Sequence, residues 1–249
     1  MLRRFEGKSS LVTGSSSGMG RATALRLAEE GARVLAVDRN AEGLERLAAE
    51  SPATGQIVPH TADVSDEDQV RTTVRAALGH FGGLDVLVNN AGILHMAPLP
   101  EQTVADFHRV LQVNLLGTFL FCREAMPALV RRRGVVVNVA SAAATHAHPF
   151  MTAYAASKGG ILAFSISLAH EYTRQGVRVV VVSPGGVDTP LMRSVQFPDH
   201  VDPSFYQRIT PPLGFGTPEQ LAGTIAYVAS GDAGFLTGVE IRVDGGSGN

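Results

Sequence analysis

The chain has 249 residues, 45% of them hydrophobic and 18% charged, with a formal net charge of -2. That length approaches the upper limit for one core, and that balance excludes a disordered chain and a general binder of nucleic acid or anionic membrane. The single cysteine, Cys122 within apolar "GTFLFC", excludes an internal disulfide framework and reads as a buried, inert thiol.

From the amino terminus, "MLRRFEGKSS" lacks the apolar core of a signal peptide, and the longest aliphatic runs, such as "VRVVVVS", are strand-sized. A cytoplasmic protein with no membrane partner is expected. Strands are predicted at 9–14, 33–38, 55–64, 84–92, 134–141, 178–185 and 238–246, with helices at 18–30, 41–50, 66–81, 103–133, 152–175 and 217–229. Several strands are nearly continuous Val, Leu and Ile, as in parallel sheets covered on both faces. Strand–helix alternation then implies right-handed crossovers. Seven readable strands, and a glycine-rich turn after the first, favour a doubly wound α/β sheet over a barrel. The expectation is a single three-layer, Rossmann-like domain over residues 1–249 with a seven-stranded parallel sheet. The irregular stretch 186–216, rich in Pro, Phe and Met, is expected to be a substrate lid.

After the first strand, Gly14, Gly18 and Gly20 are spaced G-x-x-x-G-x-G, not the strict G-x-G-x-x-G. Alone, that triplet leaves a phosphate cradle and a flexible strand–helix turn evenly matched. The second strand, "VLAVD", ends at Asp38, where a carboxylate can accept from both ribose hydroxyls of an adenosine and repel a 2′-phosphate. NAD is therefore favoured over NADP, although Arg39 can recruit that phosphate. Asp63 suits either an adenine contact or a cap for the helix that follows. The amides of "NNAG", 89–92, can brace the turn or touch a cofactor.

Farther along, "TAYAASKGG" puts Tyr154 and Lys158 one helical turn apart among small residues. Lowering a phenol from a pKa of about 10 to about 7.5 takes about 3–4 kcal/mol. A charge about 4 Å away at an effective dielectric of about 20 supplies about 4 kcal/mol. One lysine, helped by an oxidised nicotinamide, is enough on that reckoning. Ser141, closing "VVVNVAS", is either a cap or a donor to a substrate carbonyl. Asn114, in "VNLLG", is either a satisfied core amide or the holder of a water that links Lys158 to solvent.

Together these residues resemble the short-chain dehydrogenase/reductase family. The likeness rests on T-G-x-x-x-G-x-G at 13–20, N-N-A-G at 89–92, Asn114, Ser141, Y-x-x-x-K at 154–158, "SPGGVDTP" at 183–190 and "LTGVEIRVDGG" at 236–246, and it covers essentially the whole chain. It implies hydride transfer between NAD(H) and a secondary alcohol or ketone, with Tyr154 as acid or base. Lys158, Ser141 and Asn114 would support it, and no metal is implied. Implied cofactor contacts are Gly14, Ser16, Ser17, Gly18, Met19, Gly20, Asp38, Arg39, Asp63, Val64, Asn90, Ala91, Gly92, Tyr154, Lys158, Pro184, Gly185, Val187 and Thr189. It also implies a homotetramer or homodimer.

Substrate choice is expected from 186–216, 92–98 and 141–150, through Leu94, Met96, Phe150, Leu191, Met192, Phe197, Phe205 and Tyr206. His95, His146 and His148 punctuate them at the surface or pocket rim, with no metal-ligand spacing. Such a pocket suits a hydrophobic or cyclic alcohol. The rival within the family is an NADPH-dependent 3-oxoacyl-(acyl-carrier-protein) reductase, which Arg131–Arg133 and Arg174 would serve as a docking platform. Against it stands Asp38. The sequence "PPLGFGTPEQ" also departs from the family's frequent P-L-G-R-F-G. A catalytically idle NAD-binding redox sensor is the reading from another class.

Overall fold

Every strand that the apolar runs predict is present in the computed structural model, which describes residues 2–195, 202, 204–207 and 209–247. They are β1 (Ser9–Thr13), β2 (Arg33–Asp38), β3 (Gln56–Thr61), β4 (Val86–Asn89), β5 (Val135–Val139), β6 (Arg178–Pro184) and β7 (Val239–Val243). All neighbours pair in parallel, in the order β3-β2-β1-β4-β5-β6-β7. The helices are α1 (Gly18–Glu29), α2 (Ala41–Ala49), α3 (Glu67–Phe81), α4 (Val104–Leu111), α5 (Gly117–Arg132), α6 (Thr152–Tyr172), α7 (Pro190–Arg193), α8 (Ser204–Gln207) and α9 (Pro218–Ala229).

Alternate residues of each strand enter opposite cores, which is why the strands read as unbroken hydrophobic runs. Val34, Ala36, Val86, Val88, Val135 and Val137 face one core with Leu27 of α1 and Ile225 of α9. Leu35, Val37, Leu87 and Val136 face the other with Val74 of α3 and Leu129 of α5. The order reverses between β1 and β4, and a doubly wound sheet opens its ligand crevice there, beyond the strand carboxyl ends.

Three expectations are revised. The single helix over 103–133 is broken by a π-helical segment, Gln112–Leu116, between α4 and α5. Asn114 lies at its centre, and its carbonyl accepts from Thr118 Oγ1 at 2.7 Å. By length and composition the run Val104–Arg132 is also apolar enough to cross a membrane, which short aliphatic runs do not reveal. Its apolar window is 61% buried inside the protein, as a core helix would be. β4 stops at Asn89 because the Asn90 amide leaves the ladder to donate to Thr13 Oγ1. Pro59 falls inside β3, paired with Ala36, and is tolerated because β3 is an edge strand.

At the opposite, amino edge of the sheet, Arg132 donates to the Gly82 carbonyl, and Arg133 ends α5 at φ 50°. A buried ion cluster lies at this edge too. Glu30, 1% exposed, accepts from Arg4 at 2.6 and 2.7 Å and from Arg26 at 2.6 Å. Burial alone would raise the Glu30 pKa, but these hydrogen bonds outweigh it and hold the carboxyl below its ordinary value. Its contribution to stability is therefore present above the ordinary carboxylate pKa of about 4.5 and is lost as pH falls through the lower folded value. Arg4→Ala is expected to destabilise the protein by about 3 kcal/mol in urea unfolding at pH 7. The deficit should shrink on acidification below pH of about 4 as Glu30 is protonated.

Candidate active site

The crevice at the β1–β4 reversal holds two cavities that share Met19, Asn90, Gly92, Thr189 and Leu191. The first is lined by Gly14, Ser17, Gly18, Asp38, Arg39, Asp63, Val64 and Ala91, among others. The second holds Ser141, Tyr154, Lys158, Pro184, Gly185 and Val187. Most of the residues expected to meet a dinucleotide thus line one continuous cleft.

The first turn is built for close approach. Gly14 has φ +71°, and a Cβ on Gly20 would lie 2.1 Å from the Gly14 carbonyl oxygen, so no larger residue fits between α1 and the turn. Gly20 therefore packs helix against turn and does not line the cleft. Ser17 caps α1 without a side-chain hydrogen bond, which leaves first-turn N–H groups for an anion. Ser16 acts through its backbone, donating to Asp38 Oδ2 at 3.1 Å, while Asn40 N donates to Asp38 Oδ1 at 3.0 Å. Asp63 does not cap α3; that role falls to Asp66, which accepts from Gln69 N. Asp63 instead accepts from Ser65 N and Oγ at 2.8 and 2.6 Å and faces Arg109 at 3.8 Å. Burial would raise its pKa; the Ser65 hydrogen bonds, with Arg109 and Arg39, hold it below the ordinary value.

The two amides of "NNAG" divide the work. Asn90 Nδ2 donates to Thr13 O and Gly14 O, bracing the turn, while its buried Oδ1 has no partner among the described residues. Asn89 lies outside the cleft. Its Nδ2 donates to Asn138 Oδ1 at 2.8 Å, and Asn138 Nδ2 donates to Ser165 Oγ at 2.8 Å. Cys122 packs beside this polar rail, its thiol pushed up to about 12 by burial.

Tyr154 and Lys158 project from the first turns of α6 into the second cavity, with Lys158 Nζ 5.6 Å from the Tyr154 ring centroid. Lys158 is 3% exposed and donates to Val139 O at 2.8 Å. Burial lowers its pKa to about 8. Burial also raises the Tyr154 pKa, opposed by a hydrogen bond from Ser141. Burial thus outweighs the Ser141 hydrogen bond, and the phenol stays protonated at neutral pH. Ser141 Oγ accepts from Ala143 N as well, so it caps the Ala142–Ala144 turn while facing the phenol.

Asn114 is fully buried behind the cleft. Its Oδ1 accepts from Ile93 N at 2.8 Å, and its Nδ2 donates to Ile93 O and Ser157 Oγ at 3.0 Å each. A Cβ on Gly92 would lie 3.3 Å from Asn114 Oδ1 and 3.5 Å from Lys158 Nζ, so the bare Cα keeps a gap between them. The glycine-lined cleft, the free N–H groups of α1, the unpartnered Asn90 Oδ1 and this gap all fit a nicotinamide dinucleotide.

Of the residues expected to set specificity, Leu94, Leu191, Met192 and His148 line the second cavity, but Met96, Phe150, Phe205, His95 and His146 do not. Phe197 and the Tyr206 side chain lie outside the described residues. Met151, Ile209 and Phe215 join the wall, and Arg109 joins the first cavity. The segment 186–216 is not wholly irregular, since it contains α7 and α8. Its neck is closed by Asp188 N to Gly216 O and Gly216 N to Gly186 O, at 2.9 and 3.0 Å.

Residues 8–198 match the family model described as "short chain dehydrogenase". The chain is 38% identical to the 3-oxoacyl-(acyl-carrier-protein) reductase of Thermotoga maritima, over 98% of each chain. It is 37% identical to 3beta-hydroxysteroid dehydrogenase 1 of Eggerthella lenta, over 97% of this chain and 94% of that protein. A solved structure of the Brucella melitensis 3-ketoacyl-(acyl-carrier-protein) reductase complexed with NADH superposes with a TM-score of 0.90. The identity is 35%, over 98% of this chain and all (100%) of that one.

The Lys158 assignment has a direct readout. In an NMR titration of lysine side-chain nitrogens, one amine is expected to titrate near 8, and that signal should vanish in Lys158→Met. Because this folded pKa lies below the unfolded value of 10.5, the penalty for burying the charge is full below pH 8 and is relieved as pH rises toward 10.5.

Proposed function

This chain belongs to the short-chain dehydrogenase family of oxidoreductases acting on alcohol and keto groups, and on that footing we propose that it interconverts a hydrophobic or cyclic secondary alcohol and its ketone with NAD(H). The observation that carries the reading is the half-buried Tyr154 with the buried Lys158 beside Ser141, in a cavity continuous with the proposed dinucleotide cleft.

The nicotinamide cofactor, when bound, accepts or supplies the hydride. Tyr154 holds the other half of the reaction: it gives its proton to the carbonyl oxygen in reduction and takes it back in oxidation. Ser141 donates to the same oxygen and orients it. Lys158 lends a charge to the phenolate and keeps N–H groups free of Val139 for a cofactor ribose and a water. Asn114 holds the Ile93 backbone and the gap at Gly92, through which that water would connect Lys158 to solvent.

NAD is the preferred cofactor on this reading. Asp38 presents a carboxylate fixed by two backbone N–H groups, and the charge of Arg39 is partly offset by Asp63. The 186–216 segment acts as the lid, carrying Leu191, Met192 and Phe215 over the substrate. Its apolar wall supports a hydrophobic or cyclic substrate, in keeping with the hydroxysteroid relative. A cytoplasmic homotetramer or homodimer is the proposed working form, supported by exposed Phe107, Leu116 and Phe119 on one face and Tyr227 and Phe235 on another.

A second reading, 3-oxoacyl-(acyl-carrier-protein) reduction, is favoured by the Thermotoga maritima relative and is compatible with NADH in the Brucella melitensis complex. The arginine platform does not support it. Arg131–Arg133 precede β5 and Arg174 precedes β6, at the sheet edge opposite Tyr154. The idle-sensor reading leaves a buried, desolvated lysine beside a phenol without a purpose.

Tyr154→Phe is expected to cut turnover at least about 1,000-fold while changing NADH affinity less than about threefold; comparable rates in the mutant would remove Tyr154 from the chemistry. In fluorescence titrations NADH should bind at least about tenfold more tightly than NADPH, and Asp38→Ser should erase that preference. Tighter NADPH binding by the wild-type protein would overturn the cofactor assignment.

A further inference from the structure

His148 is the one histidine of the 141–150 segment that the fold brings into the substrate cavity, alongside Ser141, Met151 and Tyr154. Its position is set by the backbone. The Ala142–Ala144 turn is closed by Ala144 N to Ser141 O and His146 N to Ala142 O, both 2.9 Å, and Met151 N reaches back to His148 O at 3.4 Å. The ring is oriented as well, with His148 Nδ1 3.0 Å from the His146 carbonyl oxygen. A carbonyl can only accept, so Nδ1 carries the hydrogen and Nε2 of the neutral ring carries a bare lone pair. Burial lowers the pKa of this imidazole, despite the His146 carbonyl, which keeps the ring neutral at pH 7. Among the described residues nothing donates to Nε2.

The rest of the wall is largely apolar, with Leu94, Met151, Met192, Ile209 and Phe215, and its two threonines are Thr189, whose hydroxyl caps α7 by accepting from Met192 N, and Thr210. On the function proposed above, Ser141 and Tyr154 are committed to the reacting oxygen. His148 therefore offers a separate, acceptor-only point to the substrate. Only a hydrogen-bond donor satisfies it; a carbonyl or ether oxygen placed there meets lone pair with lone pair.

We propose that His148 Nε2 accepts a hydrogen bond from a second hydroxyl on the substrate, so that the preferred substrate pair is an apolar-framed diol and its hydroxyketone. The second hydroxyl is not consumed. Hydride leaves the reacting carbinol carbon for the nicotinamide, its O–H proton goes to Tyr154, and the hydroxyl at His148 is unchanged in both directions.

The test uses trans-1,2-cyclohexanediol and trans-2-methoxycyclohexanol with NAD, two probes that share a ring and differ in the hydroxyl hydrogen. The kcat/KM ratio of diol to ether is expected to be about tenfold or more in the wild-type protein, to fall near one in His148→Leu, and to persist in His148→Gln, whose amide oxygen also accepts. A purely structural role would lower both substrates together and leave the ratio intact. A ratio near one in the wild-type protein, or one unchanged in His148→Leu, overturns the proposal.

A second readout separates this inference from the function on which it rests. In the presence of NADH, the diol should raise Tm more than the ether in wild-type, His148→Gln and turnover-deficient Tyr154→Phe proteins, but not in His148→Leu. If neither probe is turned over and this difference holds, the His148 contact stands while the reaction assignment fails. If neither probe is turned over and the shifts are equal or absent, the His148 contact falls too.

Discussion

Taking Lys158 out of water beside a phenol is the constraint around which the site is organised. Desolvation penalises both charged forms, so it moves the two groups apart, the amine down to about 8 and the phenol above its ordinary value. The resting pair is then a protonated Tyr154 and an ammonium only marginally held, its charge shared between the Val139 carbonyl and the tyrosine ring. Such a pair is ready to donate a proton. Making it a base takes further positive charge in the same low-dielectric pocket, which is what an oxidised nicotinamide brings. On the proposed function, the direction of reaction and the cofactor's redox state are tied to this one electrostatic balance.

Holding that balance demands a rigid surround, and the chain builds it from amides more than from apolar packing. Asn114 clamps both polar groups of Ile93 and reaches Ser157 on α6, so the loop after β4, the π-helical segment and α6 share one side chain. Ser157 Oγ in turn donates to the Tyr154 carbonyl at 2.7 Å. Deeper in, the Asn89–Asn138–Ser165 rail links β4, β5 and α6 beneath Lys158. Buried amides satisfied in this manner accept only one arrangement of their partners, whereas apolar contacts tolerate sliding.

Much of this was legible in the residues. Runs of Val, Leu and Ile marked the strands because alternate side chains enter two cores, and Y-x-x-x-K marked two side chains that α6 brings into one cavity because four residues make about one turn. What the residues concealed depended on contacts far apart in sequence. An α-helix and a π-helical segment carry nearly the same apolar spacing, so the break at Gln112–Leu116 follows from Asn114 meeting Ile93, not from local pattern. Asn89 and Asn90 look alike in "NNAG", yet the pleat sends one into the core and the other to the turn. His146 and His148 look equally peripheral, and both are half-buried, until a single turn puts one in the cavity wall and leaves the other outside it. Arg109 was missed because it sits on an amphipathic helix where a cation reads as solvated surface.

The adenine end of the cleft follows from the same contest between main chain and side chain. Four charges meet there: Asp38, Arg39, Asp63 and Arg109. Asp63 is engaged by Arg109 and, more weakly, by Arg39, so those three largely answer one another. Asp38 is held differently, by the N–H groups of Ser16 and Asn40, which orient it without cancelling its charge. An anchor made of backbone dipoles leaves a net negative group where the second ribose hydroxyl would lie. A guanidinium anchor in the same place would have neutralised the carboxylate and left Arg39 free to hold a phosphate. The cofactor preference proposed for this protein is thus a property of how the first turn folds onto β2, as much as of which residue ends that strand.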